Sequence, residues 1–216
     1  MATNKINVTA VDFSTSGSID SGSVTNVNNP GSMPTNWTRV GDPVYTSTCV
    51  LQLGYCSTFG VGYTDIYRCT DLVNFATWVT KTLPTTANWI SGAYGDGKIV
   101  LIGQLTATNV AVTVYSTDDG DTWNVGSSFT ASQLWGGITF GNGKFILGLN
   151  GTTWKQSTDG ISWTNLTVPE VSASTSGSII FNSNIGKWMY ISSSSGAYLS
   201  TDATPSAWTA VSTNIG

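Results

Sequence analysis

Few side chains in this 216-residue chain can do chemistry, and the densest group of them is Asp118-Asp119-Gly120-Asp121. Clustered carboxylates supply the oxygen ligands that calcium takes. A pair at a set separation would serve a glycosidase. The neighbours favour a plainer use. Tyr115-Ser116-Thr117 leads in and Thr122-Trp123 leads out, with Val112, Val114 and Val125 beyond. Short Asp and Ser side chains bond the amides just ahead of them, and Gly accepts positive φ, so the stretch reads as a tight hairpin turn that needs no ion. Asp65, set among aromatics in Tyr63-Thr64-Asp65-Ile66-Tyr67, is the one other carboxylate of interest, and Glu170 is the only Glu. The chain has no His, which removes Ser/His/Asp and Cys/His catalysis. Three Cys (Cys49, Cys56 and Cys69) without His do not make a zinc site, and they read as reduced thiols in the first repeat. No P-loop or GxGxxG follows a strand. The expectation is no catalytic residue, no metal and no cofactor.

The elements that hold these groups recur. Ser157-Thr158-Asp159-Gly160-Ile161-Ser162-Trp163 is the same turn one residue shorter. Ser200-Thr201-Asp202, reaching Trp208, and Cys69-Thr70-Asp71, reaching Trp78, are looser copies without the Gly. Trp37, Trp78, Trp123, Trp163 and Trp208 follow one another at intervals of 41, 45, 40 and 45 residues, by subtraction. A period of about 40–50 residues is that of propeller blades.

Ser116-Thr117-Asp118-Asp119-Gly120-Asp121-Thr122-Trp123 resembles the Asp-box, or BNR repeat, of sialidase-like β-propellers, S-x-D-x-G-x-T-W. The match is complete there, one residue short at 157–163, and partial at 69–78 and 200–208. The resemblance implies structural turns on a propeller's outer rim, carried by Ser116, Asp118, Gly120, Trp123, Ser157, Asp159, Gly160, Trp163, Asp202, Trp208, Asp71 and Trp78. It covers roughly residues 34–211. Sialidase chemistry needs three arginines, a Tyr–Glu pair and an Asp acid, and this chain has only Arg39 and Arg68.

The rest of the sequence agrees with an all-β chain. Charged residues make up 9%, there are nine Trp, and Ser, Thr, Asn and Gly abound; the long runs of helix formers are missing. Strand–turn–strand units recur at Trp89–Ile102, Trp135–Gly148 and Ile179–Ile191, and Asp96-Gly97 and Asn142-Gly143 are strong two-residue hairpin signals. The expected fold is a β-propeller of four recognisable four-stranded repeats over residues 33–216. Each sheet is too thin to stand alone and is stable only when stacked on its neighbours. Residues 1–32 carry one alternating stretch, Ile6–Phe13, and otherwise few large apolar groups. They read either as an anchoring arm or as a degenerate fifth blade.

The net charge of −4 and the lack of a Lys/Arg cluster disfavour nucleic acid and anionic membranes as partners. No apolar run approaches the ~20 residues of a spanning helix, so membrane insertion is not expected. The first residues lack the pattern of a signal peptide. Low charge, small polar side chains and STDG-x-x-W repeats resemble the tail, fibre and decoration proteins of tailed bacteriophages. That resemblance implies a non-enzymatic virion surface protein made in the host cytoplasm, attached through residues 1–32 to other virion structural proteins in an oligomeric assembly. It would serve host adsorption or particle stabilisation. A lectin-like module is the alternative: Trp135, Trp154 and Trp188 either pack between blades or stack on a host surface glycan. A glycoside hydrolase is the third.

Overall fold

The computed structural model describes residues 39–40, 43–55, 62–72, 78–105, 108, 110–130, 137–149, 154–169, 177–192, 196–201, 203, 205–211. The expected arm at 1–32 lies outside them. All regular structure among these residues is β, in seventeen strands, each paired antiparallel.

Strands β2 (Val44–Tyr45), β3 (Val50–Gln52), β5 (Tyr63–Cys69) and the first part of β6 (Trp78–Gly95) form one up-and-down meander. The second part of β6 begins the next, with β7 (Lys98–Gln104), β8 (Val110–Ser116) and β9 (Asn124–Thr130). The third runs β10 (Gly137–Gly141), β11 (Lys144–Gly148), β12 (Trp154–Ser157) and β13 (Thr164–Leu166). The fourth runs β14 (Gly177–Asn182), β15 (Lys187–Ser192), β16 (Gly196–Ser200) and β17 (Trp208–Val211). A small ribbon pairs β1 (Arg39–Val40) with β4 (Gly54–Tyr55).

The sequence suggests separate strands at Trp78 and Trp89, but β6 is continuous and joins the first two meanders into one seven-stranded sheet. The junction is irregular. Pairing with β5 jumps from Asp65–Thr82 to Tyr63–Ala87, which leaves Leu83, Pro84, Thr85 and Thr86 opposite Thr64 alone. Pro84 has no amide to give to a ladder, and a bulge is where a strand can bend out of one sheet into the next.

The hairpins at Asp96-Gly97 and Asn142-Gly143 have positive φ at both central residues (50° and 68°, 45° and 69°). This is the mirror-image turn whose twist suits paired strands.

The core lies in three layers between successive meanders. Leu51, Leu53 and Ile66 of the first meet Ile99, Leu101 and Val114 of the second. Val100, Ile102 and Ala111 of the second meet Ile138, Phe145 and Leu147 of the third. Ile146, Trp154 and Leu166 of the third meet Ile179, Trp188 and Tyr190 of the fourth. Alternation along each strand sends successive side chains to opposite faces, so the second and third sheets are buried on both. Among the described residues, no strand of the fourth meander packs against the first as neighbouring meanders do.

Candidate functional site

The turn after β8 is held by its own side chains. The Ser116 hydroxyl accepts the amide of Gly120 (2.8 Å) and donates to Asp118 Oδ1 (2.7 Å). Asp118 accepts the Thr122 amide at Oδ1 (2.9 Å) and the Thr122 hydroxyl at Oδ2 (2.6 Å). Trp123 Nε1 donates to the Gly120 carbonyl (3.1 Å). Asp119 and Gly120 both have positive φ. Burial pushes the Asp118 carboxyl up, but the Thr122 hydroxyl and amide, the Ser116 hydroxyl and the Asp121 amide outweigh it and hold the group at about 2.

The turn after β12 repeats this with one residue fewer. The Ser157 hydroxyl accepts the Gly160 amide three residues on (2.8 Å) and donates to Asp159 Oδ1 (2.8 Å). Asp159 Oδ1 also accepts the amides of Ile161 (2.8 Å) and Ser162 (2.7 Å). The Ser162 amide is the largest influence on this carboxyl; it outweighs burial and, with the Ile161 amide and the Ser157 hydroxyl, brings the group to about 2. Both aspartates are anionic acceptors at neutral pH with their lone pairs engaged, and neither has a proton to exchange near pH 7.

Each turn also grips the preceding meander. Arg68 Nε of β5 donates to the Asp119 carbonyl (2.7 Å), and Lys81 of β6 meets Asp121. Thr48 donates to the Asp119 carboxylate. Lys98, at the start of β7, donates to the Asp159 carbonyl. Asn142, in the third meander, donates to Ala203 O in the last turn (2.9 Å). Gly120 and Gly160 are buried against the preceding sheet: a Cβ at Gly120 would lie 3.0 Å from Leu51 Cδ2, and one at Gly160 2.6 Å from Val100 Cγ2. Sequence reasoning missed these cross-sheet donors. Their signal is scarcity, since a chain with eight Lys and Arg spends four of them at or beside sheet boundaries, counting the Lys155–Phe129 contact.

The looser copies differ. Cys69 is buried, its thiol 3.5 Å from the Asp71 carbonyl, and Trp78 opens β6 opposite Cys69. Asp202 lies outside the described residues; Trp208 is half-buried and donates to the Thr167 carbonyl of the third meander (3.3 Å). Cys49 and Cys69 are free and buried, and Cys56 is outside the described set. Asp65 accepts the Thr82 hydroxyl (3.2 Å). Glu170 lies outside the described residues.

The glycan-stacking assignment of Trp154 and Trp188 is corrected. They are 2% and 0% exposed in the layer between the third and fourth sheets. Trp154 meets Tyr190 edge-on (5.4 Å, 90°), and Trp188 Nε1 bonds Ala203 O (3.1 Å). Rings placed there hold sheets together and have no face left for a sugar. Trp135 lies outside the described residues. Among the described residues, no group of three or more Cys, Asp or Glu could hold a metal ion.

No family model matches the chain, and no curated protein matches it. Solved structures do. YCF48 from Cyanidioschyzon merolae superposes with a TM-score of 0.54 at 16% identity, over 84% of this chain and 59% of that one. A structure of YCF48 bound to D1 peptide gives a TM-score of 0.46 at 12% identity, over 81% and 67%. The chain thus spans little more than half the length of the first of these. The likeness of an all-antiparallel chain to YCF48, a β-propeller, establishes a β-propeller-like fold.

Proposed function

We propose that this chain is a non-enzymatic structural module of the surface of a tailed bacteriophage, in its tail, fibre or capsid decoration. In this reading the four meanders are four propeller blades, and the turns at 116–123 and 157–163 are Asp-box turns. The observation that carries it is the use made of the best-placed carboxylates. Asp118 and Asp159 spend their oxygens on turn amides and hydroxyls, and the turns they shape are wedged against neighbouring sheets. Groups committed in this way stiffen a scaffold and are poorly suited to turnover. A low-charge surface of short polar side chains suits exposed display.

The lectin-like alternative loses Trp154 and Trp188, and no observation favours it or the hydrolase over the structural reading. Residues 1–32 would join the module to other virion proteins. Removing them should leave a folded domain, by circular dichroism, that no longer enters particles. Particles that incorporate the truncated chain normally would refute the anchoring role. A panel of fluorogenic sialosides and other glycosides should show no turnover, and turnover abolished by Asp118→Asn would refute the non-enzymatic reading.

A further inference from the structure

At each boundary between meanders, the turn after the third strand offers a carbonyl to the sheet before it. Arg68 Nε holds the Asp119 carbonyl between the first and second meanders (2.7 Å). Lys98 holds the Asp159 carbonyl between the second and third. Between the third and fourth the donor is Asn142 Nδ2, 2.9 Å from the Ala203 carbonyl, which also accepts Trp188 Nε1 (3.1 Å). Two of these donors are cations, and the third is a neutral amide. Lys144 stands where Lys98 stands, just past the turn glycine. Its Nζ is spent inside its own sheet, on Gln156 Oε1 (3.3 Å).

Asn142 is also the one donor of the three that can alter itself. It is exposed and precedes Gly143. The ladder closes at the Gly141–Lys144 pair, which leaves Asn142 and Gly143 outside it. Nothing crowds the Gly143 nitrogen, since glycine has no side chain and a Cβ there would meet nothing within 4 Å. Asparagine is a thermolabile residue, and the group that attacks it is the backbone nitrogen of the residue that follows. The turn also tolerates the product. Asp96-Gly97 fills the same place in the second meander with φ of 50° and 68°, against 45° and 69° at Asn142-Gly143.

We propose that Asn142 is a self-modification site, and that its conversion to aspartate or isoaspartate releases the last turn from the third sheet. The Gly143 nitrogen attacks Asn142 Cγ and gives up its proton. An N–Cγ bond forms, the Cγ–Nδ2 bond breaks, and Nδ2 leaves as ammonia with that proton, so a succinimide ring closes. Solvent water then opens the ring. Attack at Cγ gives an aspartate side chain, and attack at the main-chain carbonyl carbon gives isoaspartate. Water is the only co-reactant. Either product has lost the donor. A carboxylate, which only accepts, then faces the Ala203 carbonyl, which also only accepts. Arg68 and Lys98 undergo no such exchange, so the change is confined to the boundary between the third and fourth sheets. The inference stands independently of the virion reading.

The test holds the full folded chain at mildly alkaline pH for as long as the same chain in denaturant needs to convert. Mass spectrometry of proteolytic peptides then locates the amide-to-acid change. It should appear at Asn142 in the folded chain, ahead of Asn165 and Asn184, which no glycine follows. Fragment masses separate it from Asn150-Gly151, the other Asn-Gly pair. Hydrogen exchange in β15 and β16 should rise about two- to fivefold, the weight of one lost hydrogen bond, while β5 and β7 keep their rates. Asn142→Asp should reproduce the rise without incubation. Should that variant lose its circular dichroism signal, the converted wild type, separated by ion exchange, supplies the measurement. An Asn142 that remains an amide in the folded chain overturns the proposal. Conversion that leaves exchange in β15 and β16 unchanged overturns it too, as does a rise spread evenly over all four meanders.

Discussion

Gly160→Ala separates the two jobs of the turn. Gly160 has φ +70° and is buried, and a Cβ there would stand 2.6 Å from Val100 Cγ2 and 3.3 Å from Phe145 Cε2. Gly143 has nearly the same φ, +69°, with nothing within 4 Å of its Cβ position. The left-handed conformation alone costs an L residue about 1–2 kcal/mol, and both variants carry that cost. Forcing a methyl into the packed boundary adds about 1–3 kcal/mol at Gly160 only. Gly143→Ala should therefore cost about 1–2 kcal/mol and Gly160→Ala about 2–5 kcal/mol. For a chain of this size each kcal/mol lowers Tm by about 2–4 °C. Urea unfolding followed by tryptophan fluorescence measures both. Val100→Ala removes the group that is struck, so the double variant Val100→Ala/Gly160→Ala should be about 1–2 kcal/mol more stable than the sum of the singles implies. Equal costs for the two glycines, with no coupling to Val100, would refute the claim that this turn is wedged against the preceding sheet.

Ser116→Ala leaves the buried Gly120 amide without its acceptor and should cost about 1–3 kcal/mol in the same assay. Trp154→Ala should cost about 3–5 kcal/mol as a cavity between sheets, and if the variant instead lost glycan binding at unchanged stability, its placement in the core would be wrong. Acid should destabilise the chain in a defined window. Asp118 and Asp159 are held at about 2 against an ordinary 3.8, so the folded state binds fewer protons than the unfolded one. Their contribution is present above about pH 4 and is lost as pH falls toward 2. Asp118→Asn/Asp159→Asn should flatten stability across that window, and an unchanged slope would show that these carboxylates are not the groups responsible.

Local chemistry was legible in the order of residues. Ser, Asp and Gly at fixed offsets specify the turns at 116–123 and 157–163, since each bond spans at most four residues and depends on little beyond them. The Asp96-Gly97 and Asn142-Gly143 hairpins are likewise set by which residues tolerate positive φ. The period of the tryptophans announced repeated sheets for the same reason, because every sheet solves the same packing problem. Which face of each sheet is covered was not legible. Trp154 and Trp188 read in sequence either as packing between blades or as platforms for a glycan, and only register across four strands turns them toward a neighbour. The continuous β6 was hidden too, because its two halves belong to different meanders and Pro84 reads as a break. Arg68, Lys81 and Lys98 reach turns 40 to 61 residues away; their scarcity marks them in the sequence, but over that distance nothing in it names their partners. Hydrogen bonds across a few residues are fixed by the chain's own covalent geometry, whereas burial and long-range pairing exist only once the sheets have stacked.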